Sequence, residues 1–430
     1  MTTNRFLTVL SLLILSVITQ VQAQDYTAYL RQHQTAFAPD EPLSFSQFDS
    51  AFYRNRIFLL GEPHGYAAPQ TIDLTLLKHL NQRTGLRNYL AEMDFAQADL
   101  VNQYLQTGQT TLLDSLFNNF RRQTNAGTSQ WGNQEFYDKI VAIRTYNLTQ
   151  PAIAQIRFIG VDWFQNKGRF ALTLLKHIGN QSLTTPTNRP TLDSLRTLLT
   201  GDSLSLGKLL PLTASIRRDL TANPSYYRQL LGDNVLPFSL FFELINCATD
   251  KLNRDQVAAR MTLFYSEQMH LEQEKLYGLW GYAHILQAGT GKQATFSGML
   301  AKAGQRVITM ATMFKDSKML VHRDHLPFFL RKGNELLCEV SALNADGKVF
   351  KVDHFDDLTS VNNPASVTLF KLDAPDSPYR QTLRLVKTGG LTGTKIEPYT
   401  LAPTVTTDYF QYVFLVKDSP AVHLWQPVVR

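Results

Sequence analysis

Cysteine is almost absent from this chain, which carries only Cys247 and Cys338 among 430 residues. This number excludes a zinc site built from cysteine ligands, which takes several thiolates. Each cysteine lies in an apolar stretch, so we favour two small buried thiols over a disulfide. Folding in an oxidising compartment keeps the disulfide open as an alternative.

Dense runs of basic residues are also missing. The formal net charge is +6, from 42 basic and 36 acidic residues, which is mild for a chain of this length. Arg121-Arg122 and Arg217-Arg218 are isolated pairs. Because proteins that bind nucleic acid follow its phosphates with clustered Lys and Arg, we expect no nucleic-acid partner.

The short motifs of several large enzyme classes do not occur either. The sequence has no Gly-x-Ser-x-Gly nucleophile elbow, no P-loop and no dinucleotide-binding fingerprint. These absences count against the common serine hydrolases and against nucleotide-dependent enzymes. With 44% hydrophobic and 18% charged residues, the composition is that of an ordinary globular protein.

The amino-terminal residues have the features of a cleavable export signal. Arg5 gives a short positive region, residues 6–18 are mostly apolar, and Val21-Gln22-Ala23 offers the small residues that a signal peptidase reads. The apolar stretch is too short for a comfortable membrane span. We therefore predict cleavage after Ala23 and a periplasmic or secreted protein without a stable membrane span.

Strand-like apolar runs alternate with helical spacing along the chain, which predicts an α/β protein. We expect a mostly parallel central sheet flanked by helices, with a helical cap insertion and a β-rich carboxyl-terminal segment. The expected divisions are a signal peptide at 1–23, the first half of the core at 24–169, the cap at 170–271, and the second half with the β-rich strands at 272–430.

Individual elements follow from the same periodicities. The predicted strands are 56–60, 87–91, 156–160, 276–280, 306–310, 367–372, 382–386 and 409–416. The predicted helices outside the cap include 69–83, 95–105, 133–147 and 297–303. The strand at 409–416 is so apolar that we place it inside the main sheet.

Two of the predicted strands end in one pattern, Gly-x-x-His. These ends are Gly61-Glu62-Pro63-His64 and Gly281-Tyr282-Ala283-His284. Two other strands end in an acidic residue, Glu92 or Asp162. Because the carboxyl ends of parallel strands face one crevice, where ligands bind, we predict that these groups converge on an active site.

The residue types at these ends suit proton transfer. A His64 held by Glu62 can take a proton from water or substrate near neutral pH; the alternative is a capped turn whose histidine binds backbone carbonyls. A buried Glu92 needs a partner, since an unpaired buried carboxylate is costly. His284 is a candidate because it repeats the spacing of His64 after a similar apolar run. The alternative for Asp162 is a cap of a helix at 168–178.

The same groups also meet the needs of a divalent metal ion. Imidazole and carboxylate ligands with an open position for water form a catalytic metal site, and the ligands here would be His64, His284 and Glu92. The residues alone leave open whether a metal or a general base activates the water.

These and other motifs resemble the superfamily of erythromycin esterases, ChaN-type haem-binding lipoproteins and TraB/TIKI proteases. The matching motifs are Leu60-Gly-Glu-Pro-His-Gly65, Glu92 after a strand, Asn102-Gln-Tyr104, Trp131-x-x-x-Glu135, Arg144-x-x-Asn147, Gly160-Val-Asp162, Arg254-Asp255, Trp280-Gly-Tyr-Ala-His284 and Ser297-Gly-Met-Leu300. Their order and spacing are most similar to the erythromycin esterase branch, over about 55–165 and 250–312.

The resemblance implies an α/β core with a helical cap and a hydrolytic site. By this resemblance His64 would be the general base, and Glu62, Glu92 and His284 would orient it or bind substrate. Supporting residues would be Asp162, Arg254 and Glu135. We therefore expect an exported hydrolase that cleaves an ester, lactone or amide bond of a small molecule without a required cofactor.

Two departures from the esterase pattern keep alternatives open. Glu62-Pro-His64 stands where the esterases tend to have Glu-x-x-His, and Gly281 stands where they have an earlier histidine. Both features look more like the ChaN and TIKI branches. The alternatives are a hydrolase or peptidase that depends on a divalent metal, and an envelope protein that binds haem or metal, for which Tyr282 beside His284 makes axial ligation conceivable.

Overall fold

The structure, a computed structural model, describes residues 25–122, 131–163, 189–200, 206–232, 235–331, 333–347, 349–391 and 395–427. The predicted signal peptide with its cleavage site, the predicted helix at 168–178 and part of the predicted cap lie outside the described residues. Within the described ranges, no helix is long and apolar enough to cross a membrane.

A large, mostly parallel sheet forms the centre of the protein. The strands of the described chain are β1 (Gln34–Ala36), β2 (Ile57–Glu62), β3 (Asn88–Ala91), β4 (Arg157–Gly160), β5 (Leu276–Gly281), β6 (Val307–Lys315), β7 (Met319–His322), β8 (Leu337–Val340), β9 (Lys351–Val352), β10 (Val367–Lys371), β11 (Thr388–Gly389) and β12 (Tyr412–Lys417). The central sheet has the order β1-β10-β12-β6-β2-β5-β3-β4. All strands from β12 to β4 run parallel, and β10 pairs antiparallel with both β12 and β1.

Helices cover this sheet. Those of the described chain are α1 (Tyr26–Gln32), α2 (Ser50–Tyr53), α3 (Ala68–Thr84), α4 (Phe95–Thr107), α5 (Thr110–Arg122), α6 (Gln134–Leu148), α7 (Arg189–Thr200), α8 (Leu206–Ala222), α9 (Pro224–Leu231), α10 (Val235–Thr249), α11 (Arg254–Gln268), α12 (Phe296–Lys302) and α13 (Asp356–Thr359). The predicted fold class, an α/β protein with helical insertion and β-rich end, is confirmed.

Alternation along the strands explains how two cores form. Successive side chains of a strand point to opposite faces of its sheet. Phe58 of β2 belongs to the apolar cluster that includes residues of α3 to α6, whereas its neighbour Leu59 belongs to the cluster that includes residues of α8, α10, α11 and α12. Because helices cover both faces, β2 and β5 are buried along their whole length, as is usual for parallel strands.

Most predicted elements are confirmed within a few residues, and the apolar strand β12 lies inside the main sheet as predicted. The prediction of a strand at 382–386 is wrong. Leu385 there has a φ of 65°, which a strand residue does not adopt. The short strand β1 and the helix α5 were not predicted. Cys247 and Cys338 are both buried free thiols, as favoured from their surroundings.

Gly278 of β5 offers a test of the packing between β5 and β3. A Cβ on this residue would lie 2.0 Å from the carbonyl oxygen of Leu90, so alanine can be accommodated only if the two strands separate. We expect Gly278→Ala to lower the free energy of unfolding by about 2 kcal/mol or more, as overpacking does in tight cores. Urea denaturation of the purified protein measures this loss.

Gly389→Ala is the matched control. Gly389 lies in β11, and a Cβ there would meet no atom within 4 Å. Gly389→Ala should change the free energy of unfolding by no more than about 0.5 kcal/mol, as most surface substitutions do. Equal denaturation midpoints for Gly278→Ala and the unchanged protein would show that the strands are not packed as described.

Candidate active site

The order of the strands brings the predicted site residues together. β2, β5, β3 and β4 lie side by side and run parallel, so their carboxyl ends form one continuous edge. His64, His284, Glu92 and Asp162 follow these four ends in that order. The crevice predicted from the strand-end pattern is therefore built from four neighbouring strands.

His64 is held by the carboxylate two residues before it. Its Nδ1 lies 3.2 Å from Oε1 of Glu62, the last residue of β2. Gly65 then turns the chain with a φ of 104°, and a side chain there would collide with the backbone of Leu320. This bond on Nδ1 fixes the ring and leaves Nε2 for the crevice.

Gly281 lets the two imidazoles approach one another. A Cβ on this residue would lie 3.0 Å from Nε2 of His64 and 3.2 Å from Cδ2 of His284. Both rings therefore border the same small space at the end of β5. Any larger residue at this position would fill the place where the two rings meet.

The second histidine is held by a residue that sequence reasoning did not select for the site. Nδ1 of His284 makes a short hydrogen bond to Oδ1 of Asp255, the second residue of α11. Burial would lower the pKa of His284, but this bond and the charge of Glu92 outweigh burial and raise the pKa above its ordinary value. Asp255 appeared only in a family motif, and no local pattern links it to a residue 29 positions away.

Glu92 connects the two halves of the site. Its Oε1 accepts a hydrogen bond from Nη2 of Arg254 at 2.7 Å, and its Oε2 accepts one from the backbone N–H of Gly281 at 2.8 Å. Nε2 of His284 is 3.8 Å from Oε1. Burial would raise the pKa of Glu92, yet the charge of Arg254 and those of the two imidazoles keep it below its usual range.

Asp162 is the other partner of Arg254. The guanidinium donates from Nε to Oδ1 at 2.9 Å and from Nη2 to Oδ2 at 2.6 Å, and the Asp162 carboxylate is fully buried. Such a two-point contact fixes both the distance and the orientation of the pair. Arg254, the first residue of α11, thereby joins that helix to the ends of β3 and β4.

Glu62 and Gln70 line a small cavity of about 30 Å³. Oε2 of Glu62 and Oε1 of Gln70 are buried, and neither has a hydrogen-bond partner among the described residues. Lys139, also in its wall, is buried and pairs with Asp73. Burial raises the pKa of Glu62, while the bond to His64 and the charge of Lys139 oppose this rise.

The structure separates Glu135 from the other predicted site residues. The Glu135 carboxylate binds His423, with Oε1 2.6 Å from Nδ1 of that ring and Oε2 accepting from its backbone N–H at 3.0 Å. These contacts tie the amino-terminal end of α6 to the carboxyl-terminal segment. Glu135 therefore supports the packing beside the crevice and contacts neither histidine of the site.

The ligand set expected for a metal ion does not fit this arrangement. Among the described residues, no group of three or more His, Cys, Asp or Glu is placed to hold a metal. Both oxygens of Glu92 already accept hydrogen bonds, from Arg254 and from the Gly281 N–H. The hydroxyl of Tyr282 lies 3.5 Å from the carbonyl oxygen of Leu385, and haem binding stays a prediction.

Comparison with known proteins gives matches in structure alone. No family model and no curated protein matches this chain. A Bacillus cereus protein shares its fold with a TM-score of 0.63 and 15% identity, over 94% of this chain and 100% of that one. A succinoglycan biosynthesis protein matches with a TM-score of 0.61 and 16% identity, over 94% and 100%.

The third structure is a mutant of the erythromycin esterase EreC in its open conformation. It has a TM-score of 0.59 and 15% identity, over 90% of this chain and 98% of that one. At such identities the similarity shows a common fold. The erythromycin-esterase-like fold expected from the sequence motifs is thereby confirmed.

Arg254→Met tests the contact between Arg254 and Glu92. The folded-state pKa of Glu92 is depressed, so its contribution to stability is present above the unfolded-state pKa and is lost as pH falls through the folded-state pKa. Without Arg254 the Glu92 carboxylate loses the charge that most opposes the effect of burial. We expect the free energy of unfolding at pH 7 to fall by about 2 kcal/mol, since a buried charge loses its partner, and the remaining stability to depend less on pH below about 4.3, the ordinary pKa of glutamate.

Arg260→Met is the matched control on the same helix. Arg260 also binds two acidic residues, Glu243 and Asp250, but the Asp250 side chain is half exposed. Water can solvate the Asp250 carboxylate, so the loss should be about 1 kcal/mol or less. Thermal unfolding at several pH values compares the two variants, and equal losses at every pH would contradict the assigned role of Arg254.

Proposed function

We propose that this protein is an exported hydrolase that cleaves an ester, lactone or amide bond of a small molecule. The observation that carries the proposal is the pair of imidazoles at Gly281, each held on Nδ1 by its own carboxylate. The shared fold with an erythromycin esterase supports a hydrolase. Export rests on the sequence of residues 1–23.

His64 acts as the general base in this proposal. Its Nδ1–H donates to Glu62, which leaves the lone pair of Nε2 free to accept a proton from water. As the proton moves to Nε2, the water oxygen bonds to the carbonyl carbon of the substrate. The product of this step is a tetrahedral intermediate with a negatively charged oxygen.

His284 acts as the acid. Asp255 and Glu92 raise its pKa, so the ring keeps its second proton more readily than an isolated imidazole. A positively charged ring beside the intermediate stabilises its oxygen, and Nε2–H can donate a proton to the leaving group as the carbon–oxygen or carbon–nitrogen bond breaks. In this scheme His64 is the base and His284 the acid because the carboxylates around the two rings differ.

Glu92, Arg254 and Asp162 are positioning residues in this scheme. They hold the backbone of Gly281 and the start of α11, on which His284 and Asp255 depend. The scheme needs no group beyond the chain itself. A chelator such as EDTA should accordingly leave the activity unchanged.

His64→Ala is the first test. We expect the rate of hydrolysis of a panel of nitrophenyl esters, lactones and amides to fall by about 10²–10⁴-fold, the usual contribution of a general base. Circular dichroism should show a folded protein, because the His64 side chain is partly exposed. The control is His423→Ala, which removes a largely exposed histidine outside the crevice; turnover retained by His64→Ala would overturn the proposal.

Asp255→Asn tests the role of His284. Loss of the Asp255 charge lowers the pKa of His284, so the ring loses its proton at lower pH. Since activity requires protonated His284, the alkaline limb of the pH–rate profile should move to lower pH and kcat should fall at pH 7. Asp255→Glu should restore part of both.

The control for this variant is Asp250→Asn. Asp250 is an exposed acidic residue that binds Arg260, away from both histidines. Its pH–rate profile should match that of the unchanged protein. An unmoved alkaline limb in Asp255→Asn would show that His284 does not act as the acid.

A further inference from the structure

We propose that a pocket lined by Arg254, the partner of Glu92 and Asp162, binds an uncharged ring of the substrate. Among the described residues its lining is Trp131, Trp163, Leu252 and Arg254, and its volume is about 370 Å³. We call it the tryptophan pocket. That the ligand is a substrate rests on the proposed function, but its binding can be measured without turnover.

The walls of this pocket are attached to the residues of the site. Nε1 of Trp131 donates to the backbone carbonyl of Glu92 at 3.1 Å. Trp163 directly follows Asp162, and its N–H donates to the carboxylate of that residue at 2.7 Å. Arg254 bridges both acidic residues. A group bound in the tryptophan pocket is therefore adjacent to the centre at which hydrolysis is proposed.

Two indole rings and a leucine give the pocket flat apolar surfaces. Trp131, Trp163 and Leu252 are each partly buried, so part of every side chain stays accessible. One side of Trp131 packs against Phe120, at 6.2 Å between centroids and 28° between planes, which fixes the indole. A rigid, half-covered aromatic wall favours a ligand that presents a flat face, because stacking then adds to apolar burial.

The charges around the pocket select against an anionic ligand. The Arg254 guanidinium is engaged through Nε and Nη2 by Asp162 and Glu92, and Nη1 takes no part in these bonds. Asp255 adds a further carboxylate on the same helix. Three carboxylates around one guanidinium repel a negative group, whereas Nη1 can still donate to a neutral oxygen.

These features together define the ligand as an uncharged ring that carries an oxygen acceptor. A carbocyclic ring and a sugar ring both present such a flat face, the first with apolar edges and the second with hydroxyl groups. The lining is apolar apart from one guanidinium. The tryptophan pocket should therefore bind a carbocyclic ring more tightly than a sugar ring, whose hydroxyl groups would lack hydrogen-bond partners.

Tryptophan fluorescence provides a direct measurement. The chain has four tryptophans, and Trp280 and Trp425 are almost completely buried. A ligand in the pocket should therefore change the emission of Trp131 and Trp163 alone. The probes are benzamide and cyclohexanecarboxamide as neutral rings, methyl glucoside as the sugar, and benzoate as the anionic match of benzamide.

We expect saturable quenching by the two amides, weaker binding of methyl glucoside, and at least tenfold weaker binding of benzoate than of benzamide. Trp163→Ala should weaken benzamide binding at least fivefold, and Trp163→Phe should restore part of it. Trp425→Phe is the matched control, because Trp425 packs against Phe117 and Tyr137 instead of lining the pocket. Its affinity should be unchanged.

Kinetics separate this inference from the proposed function. Trp163→Ala should raise KM for benzoate or cyclohexanecarboxylate esters while changing kcat less than twofold, and acetate esters should be affected least. Binding of benzamide without hydrolysis of any ester would support the pocket and overturn the proposed function. Equal affinities for benzoate and benzamide, or unchanged binding in Trp163→Ala, would overturn the pocket.

Discussion

The contact on which the rest of the site depends is the double use of the Glu92 carboxylate. This group, at the end of β3, accepts the N–H of Gly281 at the end of β5 and a guanidinium N–H from α11. A buried carboxylate is costly unless both oxygens are bound, so these partners hold one another in place. These hydrogen bonds fix the distance between the end of β5 and the start of α11. His284 and Asp255 contact each other between these two ends.

The two imidazoles of the site are held by different carboxylates. Glu62 holds His64 from within β2, whereas Asp255 approaches His284 from a helix, and Oε1 of Glu92 lies 3.8 Å from Nε2 of His284. Burial opposes the protonation of His284, and the two carboxylates outweigh it. In the proposed scheme, these different surroundings let a base and an acid operate side by side.

The sequence predicted the parts of the site that depend on local patterns. Apolar runs ending in Gly-x-x-His or in an acidic residue identified the strand ends, and a parallel sheet requires these ends to share one edge. The pairing of Asp255 with His284 and the insertion of β5 between β2 and β3 are tertiary facts, which periodicity does not encode. The prediction of a strand at 382–386 was wrong for a related reason. The backbone N–H groups of Leu385 and Arg384 donate hydrogen bonds to distant segments, and these bonds override the local β pattern.

The buried pair of Lys139 and Asp73 connects the candidate site to the core. Lys139 and Asp73 lie almost completely buried, an arrangement that apolar residues could often replace without loss of stability. Lys139 also faces the cavity that Glu62 lines, and its charge favours the ionised form of that carboxyl. An ionised Glu62 accepts the Nδ1–H of His64 in a charge-assisted hydrogen bond, which is stronger than the bond to a neutral carboxyl. The buried pair therefore contributes to the proposed site as well as to the core.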